Sequence, residues 1–284
     1  MIPFLLFLNF SLMILMPVLV GIFIHRRWGV GWRLFFIGLA TFIGSQLLHI
    51  PFNWLVLNKL QLIPTDTSVR LNLIALSVFA GLSAGFFEEG ARYLTYRFWA
   101  KDARTWAKGM MLGAGHGGIE AILLGSLGLI NFVVLLGLSQ GYFASLIPAE
   151  QMSLVETQIA QTFGLPWHMA VLGAVERAFA ICLHLALSVM VLQVFLRRNV
   201  WWLIAAILWH GVVDATAVFA ISTWDAITTE VLVGIYALIS LGIIYWLYEP
   251  NPEEPEIEPL PAVEPAKPLM LKASAESLDE SKYT

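Results

Sequence analysis

Four stretches of an otherwise apolar chain carry side chains that hydrocarbon does not tolerate. Glu88 and Glu89 are adjacent and Arg92 follows four and three residues later, so on a helix both carboxylates can reach one guanidinium. His116 and Glu120 stand one turn apart in Gly115-His116-Gly117-Gly118-Ile119-Glu120. His184 lies in a further apolar run, preceded by Glu176 and Arg177. His210 and Asp214 are again spaced i, i+4 and share one side of a helix. An ionised side chain at the bilayer centre costs at least ~2.5 kcal/mol on insertion scales, so such groups pair inward or do chemistry. Two carboxylates against one arginine leave excess negative charge, which favours a cation or a shared proton. Imidazoles and a carboxylate gathered around an open coordination position are what a catalytic Zn²⁺ needs, together with a water and a base to take its proton. Asp214 beside His210 has the further feature of a carboxylate that orients a histidine near zinc.

The elements that must position these groups follow from composition. Hydrophobic residues make up 58% of the 284 residues and charged residues 13%, too little polar surface to cover a water-soluble fold. The solvent for most of the chain is lipid, and its apolar blocks have the length of a helical crossing, roughly 20 residues. The blocks lack period-2 alternation, and an open sheet edge cannot be satisfied in hydrocarbon, so the fold class is all-α: a polytopic transmembrane bundle of about seven to eight helices. Helices are predicted at 2–24, 34–57, 71–99, 109–146, 168–196, 200–220 and 230–248. The fourth is long for one crossing, and Gly125, Gly128 and Gly137 are expected to break it into a helix plus a tilted or re-entrant piece. The first block has no basic leader and no small-residue cleavage site, and reads as a retained helix.

Charge sets orientation and depth. Arg26, Arg27, Arg33, then Arg97, Lys101, Arg104, Lys108, then Arg197 and Arg198 occupy alternate connections, which places the amino terminus outside and the carboxyl end in the cytoplasm. Glu88, His116, His184 and His210 then fall about 8 to 13 residues from the nearest cytoplasmic basic residue, a single layer roughly 12 to 20 Å deep at ~1.5 Å per residue. Glu176 belongs to the outer half and is expected to form a structural ion pair with Arg177. Gly109, Gly113, Gly117, Ala121 and Gly125 recur every four positions, a stripe against which a neighbouring helix can approach closely beside His116 and Glu120. His25, His49 and His168 read as interfacial, and the single Cys182 as packing. Residues 1–248 form the catalytic unit in this reading, and the Pro- and Glu-rich segment 249–284 an extended cytoplasmic tail. Nothing in the charge distribution suggests a nucleic-acid partner.

Glu88-Glu89-Gly90-Ala91-Arg92, Gly113-Ala114-Gly115-His116-Gly117-Gly118-Ile119-Glu120 and His210-Gly211-Val212-Val213-Asp214, in this order, resemble the YhfC family of intramembrane metalloproteases. That family is distantly similar to the PrsW proteases and to the CAAX- and bacteriocin-processing (CPBP) proteases. The resemblance spans roughly residues 1–248. It implies a bacterial membrane enzyme in which Glu88 or Glu89 is the general base, His116 and His210 bind metal or stabilise the oxyanion, and Asp214 orients or assists. The CPBP pattern has its arginine one position further on, where Tyr93 stands here.

The reading is a Zn²⁺-dependent endopeptidase cutting a membrane protein or peptide near the cytoplasmic face. Glu88, Glu89, Arg92, Glu120 and Asp214 are its catalytic candidates, and His116, His184 and His210 its metal candidates. Two rivals use the same residues: a proton-coupled transporter or channel with a carboxylate and histidine relay, and a non-catalytic scaffold whose buried pairs hold helices together. A relay spreads its groups from one leaflet to the other, whereas the clearest groups here share a layer.

Overall fold

The computed structural model describes residues 1–250; the tail expected to be extended lies, from Asn251 onward, outside the described residues. Among the described residues the regular structure is entirely helical. The helices are α1 (Ile2–Trp28), α2 (Arg33–Trp54), α3 (Arg70–Leu94), α4 (Trp106–Ser139), α5 (Met152–Phe163), α6 (Leu172–Leu196), α7 (Trp201–Thr223) and α8 (Ala226–Trp246). All except α5 are long and apolar enough to cross a membrane. The expected seven crossings are therefore present, and the eighth helix is α5, a short element in the connection before α6. Both α2 and α3 run on through a wider π-type turn, at Leu55–Lys59 and Thr95–Trp99.

Local chemistry sets the ends. Gly29 closes α1 in the left-handed region at φ 67°, returning its N–H to the carbonyl of His25. Thr105 and Asp225 open α4 and α8 by accepting the backbone N–H of Lys108 and Thr228 on their side chains. Hydrogen bonds from Thr228 also hold the Asp225 carboxyl below its usual range.

The expected break in the fourth helix does not occur. α4 runs unbroken from Trp106 to Ser139, because Gly125 and Gly128 serve packing: a Cβ at Gly125 would meet Met13 at 2.8 Å and one at Gly128 the ring of Phe10 at 2.3 Å. At ~1.5 Å per residue its 34 residues reach beyond a ~30 Å hydrocarbon core. Its first half, through Ile119, is almost wholly buried. α4 packs against α1, α2 and α6, while α3 packs against α7 and α2, and α6 against α7 and α8. The stripe at Gly109, Gly113 and Gly117 faces α6, where a Cβ would lie within 3.0 Å of Leu192, Ser188 and His184 respectively. α6 is the innermost crossing, with 72% of its apolar window buried.

Candidate metal centre

Four helices deliver the charged groups to one place. On α3, Glu88, Glu89 and Arg92 are all buried. Close backbone contact with α7 sets their level: a Cβ at Gly81 would stand 2.2 Å from the Gly211 carbonyl oxygen, and one at Gly85 2.6 Å from that of Ile207. On α4, Gly115 rests against the Phe35 carbonyl of α2, 1.9 Å from where a Cβ would be. These glycines convert small side-chain volume into short interhelical distance, and so bring His116, His184 and His210 into the same layer. The rings of His116 and His184 are 5.2 Å apart and those of His184 and His210 5.5 Å.

Each group has a definite partner. Glu88 lies 3.1 Å through Oε2 from His116 Nε2, and its Oε1 accepts from Gln46 Nε2 at 2.9 Å. Glu89 forms a buried ion pair with Arg92 through Oε2, while its Oε1 meets His210 Nδ1 at 2.9 Å. Arg92 donates from Nη2 to His184 Nδ1 at 3.3 Å. Since a guanidinium can only donate, the ring hydrogen of His184 resides on Nε2, which donates to Glu120 Oε2 at 2.9 Å. The other oxygen of Glu120 accepts from Arg177 at 2.7 Å. His210 Nε2 faces Asp214 Oδ2 at 3.3 Å. The catalytic and metal candidates proposed from sequence thus join in one network, Asp214 being the most exposed of them, 37% exposed at the side chain.

The donor set fits a divalent ion. One donor atom from each of Glu88, His116 and His184 lies within 4.8 Å of the others. Two imidazole nitrogens and a carboxylate oxygen are a catalytic zinc set that leaves a coordination position open. His116 Nδ1 is buried without any partner, the kind of orphaned atom that a bound group would satisfy. His184 would exchange one of its two present partners for the ion. His210 stands outside this trio, because both its nitrogens face carboxylate oxygens.

One expectation needs correction and one needs extension. His49 is not interfacial: α2 continues through Pro51, so His49 lies inside the span, buried, with Nδ1 3.3 Å from Gln46 Oε1 and Nε2 3.1 Å from Ser83 Oγ. The Glu176–Arg177 ion pair forms, but Arg177 also reaches Glu120 and is therefore tied to His184. Gln46 was missed altogether. Its signal was the polar series Gln46, His49 and Asn53 at steps of three and four in an apolar helix.

A small cavity borders this network. A cavity of 70 Å³ between α6, α7 and α8 is lined by Glu176, Arg177 and Asp214 among apolar side chains. It holds room for a few waters beside the carboxylate that faces His210.

Comparison with known proteins shows the family. The family model described as YhfC intramembrane metalloprotease matches residues 12–237, which contain every residue of the network. The chain is 32% identical over 248 residues to the protein named "Uncharacterized membrane protein YhfC" of Bacillus subtilis (strain 168), an alignment covering 84% of this chain and 93% of that one. No solved structure matches the chain. An integral membrane bundle with a buried Glu/His/His group, matched over most of its length, belongs to the YhfC intramembrane metalloprotease family.

Proposed function

We propose that this protein is a Zn²⁺-dependent endopeptidase of a bacterial cell membrane, hydrolysing a peptide bond of a membrane protein or peptide near the cytoplasmic side. The observation that carries the reading is the convergence of Glu88, His116 and His184, from three different helices, to within 4.8 Å. A scaffold needs only pairs, whereas this trio gathers three possible ligands from three helices. The orientation follows the alternation of basic connections, with the amino terminus outside.

In this reading Glu88, His116 and His184 hold the ion. The ion would act as a Lewis acid that polarises the scissile carbonyl and acidifies water. The chain's own residues do the rest. Between the adjacent carboxylates, Glu88 is the one with an oxygen to offer the ion, because Glu89 has one oxygen on Arg92 and the other on His210. Arg92 pairs with Glu89 inside the bundle, and Glu120 accepts from the ring of His184. His210, supported by Asp214, is placed to stabilise the developing oxyanion or to hand a proton to the leaving amine.

The test is metal content in detergent-purified protein and in Glu88→Gln, His116→Ala and His184→Ala. About one zinc per chain, lost in the histidine variants while their thermal melts stay cooperative, is the expected result. Protein that takes up no zinc, but conducts protons across vesicles without any peptide present, would establish the transport reading instead.

A further inference from the structure

The side of Glu88 away from His116 is held by a chain of neutral polar groups on α2. Gln46 Nε2 lies 2.9 Å from Glu88 Oε1, His49 Nδ1 lies 3.3 Å from Gln46 Oε1, and Asn53 Nδ2 lies 2.9 Å from His49 Nε2. The directions of these bonds are not free. A carboxylate that holds a metal ion is ionised and can only accept, so with Glu88 as a ligand Gln46 presents its amide N–H to Glu88 and its carbonyl to His49. His49 Nδ1 then carries the ring hydrogen and donates it to Gln46. Its Nε2 is left with a lone pair, which accepts from the Asn53 amide, with the Ser83 hydroxyl at 3.1 Å on the same nitrogen. Reversing any one member would set two lone pairs or two hydrogens against each other. His49 is further fixed by stacking on Phe87, at 5.5 Å between ring centroids.

Resting on the metal reading above, we propose that Gln46, held by His49, is a positioning residue that fixes which oxygen of Glu88 faces the ion. With Oε1 occupied by Gln46, only Oε2 is presented toward His116. Without Gln46 the carboxylate can rotate and share both oxygens with the site, or leave Oε1 buried and unsatisfied, and either outcome loosens the ligand set. Neither Gln46 nor His49 touches the trio except through Glu88, so their effect is indirect. The energetic logic is that of outer partners which preorganise a metal ligand, and whose loss typically weakens affinity about 10- to 100-fold.

The experiment is Zn²⁺ affinity of the detergent-purified full chain, by competition with a chromophoric chelator, together with the visible absorption spectrum of the Co²⁺-loaded protein. Gln46→Leu should bind Zn²⁺ about 10- to 100-fold more weakly and change the Co²⁺ spectrum. His49→Phe keeps the aromatic bulk against Phe87 but cannot donate, and should resemble Gln46→Leu. His49→Asn loses bulk but can offer an amide N–H in place of Nδ1, and should retain the affinity of the unaltered chain. A role in filling space predicts the reverse order for the two His49 variants, and that order would overturn the proposal. Unaltered affinity and spectrum in Gln46→Leu would also overturn it while leaving the metal site standing. An unaltered chain that binds neither ion would remove the metal reading and this proposal together.

Discussion

Glu89 on α3 and His210 on α7 meet at 2.9 Å although 121 positions separate them in the chain. The contact forms because α3 and α7 touch backbone to backbone at Gly81 and Gly85, leaving no room for the two side chains to avoid each other. It also assigns work. Glu89 faces one nitrogen of His210 and Asp214 the other, so neither nitrogen is free to hold an ion.

His210→Ala should therefore keep its zinc and lose its turnover. The expected outcome is about one zinc per chain, as in the unaltered protein, with cleavage of a reconstituted membrane substrate reduced on the order of 10²- to 10⁴-fold, the range for a lost acid or base. His116→Ala should lose both. Metal analysis and cleavage measured on the same two preparations check this, and loss of zinc from His210→Ala would make His210 a ligand.

The Glu89–Arg92 pair is buried completely on both sides. Removing one partner strands a charge, at a cost of about 3–5 kcal/mol, whereas replacing both with neutral groups of similar volume can be close to neutral. Arg92→Met should accordingly melt far below the unaltered protein, and Arg92→Met with Glu89→Gln should recover most of the difference. Activity should not return in the double variant, because His210 and His184 have each lost a neighbour. Thermal unfolding in detergent, paired with cleavage, reads both halves.

Glu120 joins His184 to Arg177, which makes Glu120→Ala a test of how far the ligand set depends on its surroundings. The ring of His184 would lose the acceptor that holds it opposite Arg92. Zinc affinity should fall about 10- to 100-fold. Arg177→Met should have a smaller effect in the same direction, since Glu120 keeps its contact with His184. Equal affinity in all three proteins would detach Glu120 from the site.

Much of this site was legible in the sequence, for a physical reason: in a lipid-facing chain each ionisable residue stands out against its background. Glu88, Glu89 and Arg92 could be grouped by helical spacing alone, and the basic connections placed four helices' groups at one depth. What spacing does not contain is the rotation of one helix against another. Glu120 is an i, i+4 neighbour of His116, yet it bonds to His184 and Arg177 across the interface with α6. Neutral polar residues are harder still to detect, because hydrocarbon penalises them less; Gln46 and His49 gained meaning only when α2 was set beside Glu88. The glycines of α4 misled in the opposite sense. Their helix-breaking tendency is worth about 1 kcal/mol each, and close packing against α1 overrides it at Gly125 and Gly128.

Glycines in the same bundle should respond in opposite directions to the same added methyl group, according to what each packs against. At Gly90 on α3 a Cβ would meet nothing within 4 Å, so Gly90→Ala gains helix propensity of up to about 1 kcal/mol and should raise the melting temperature slightly. At Gly115 the Cβ would fall 1.9 Å from a backbone oxygen of α2, which cannot swing aside. Gly115→Ala must push α2 and α4 apart, at about 1–3 kcal/mol or more, and should melt lower. Gly117→Ala falls between them in kind, since its Cβ would stand 2.7 Å from the Cβ and Cδ2 of His184. It should disturb the ligand more than the fold, and weaken zinc binding by a larger factor than its modest loss of thermal stability would suggest. Melting and zinc titration of the three variants side by side decide the matter. A Gly117→Ala protein that binds zinc as tightly as the unaltered chain would mean that His184 does not need its present place against α4 to hold the ion.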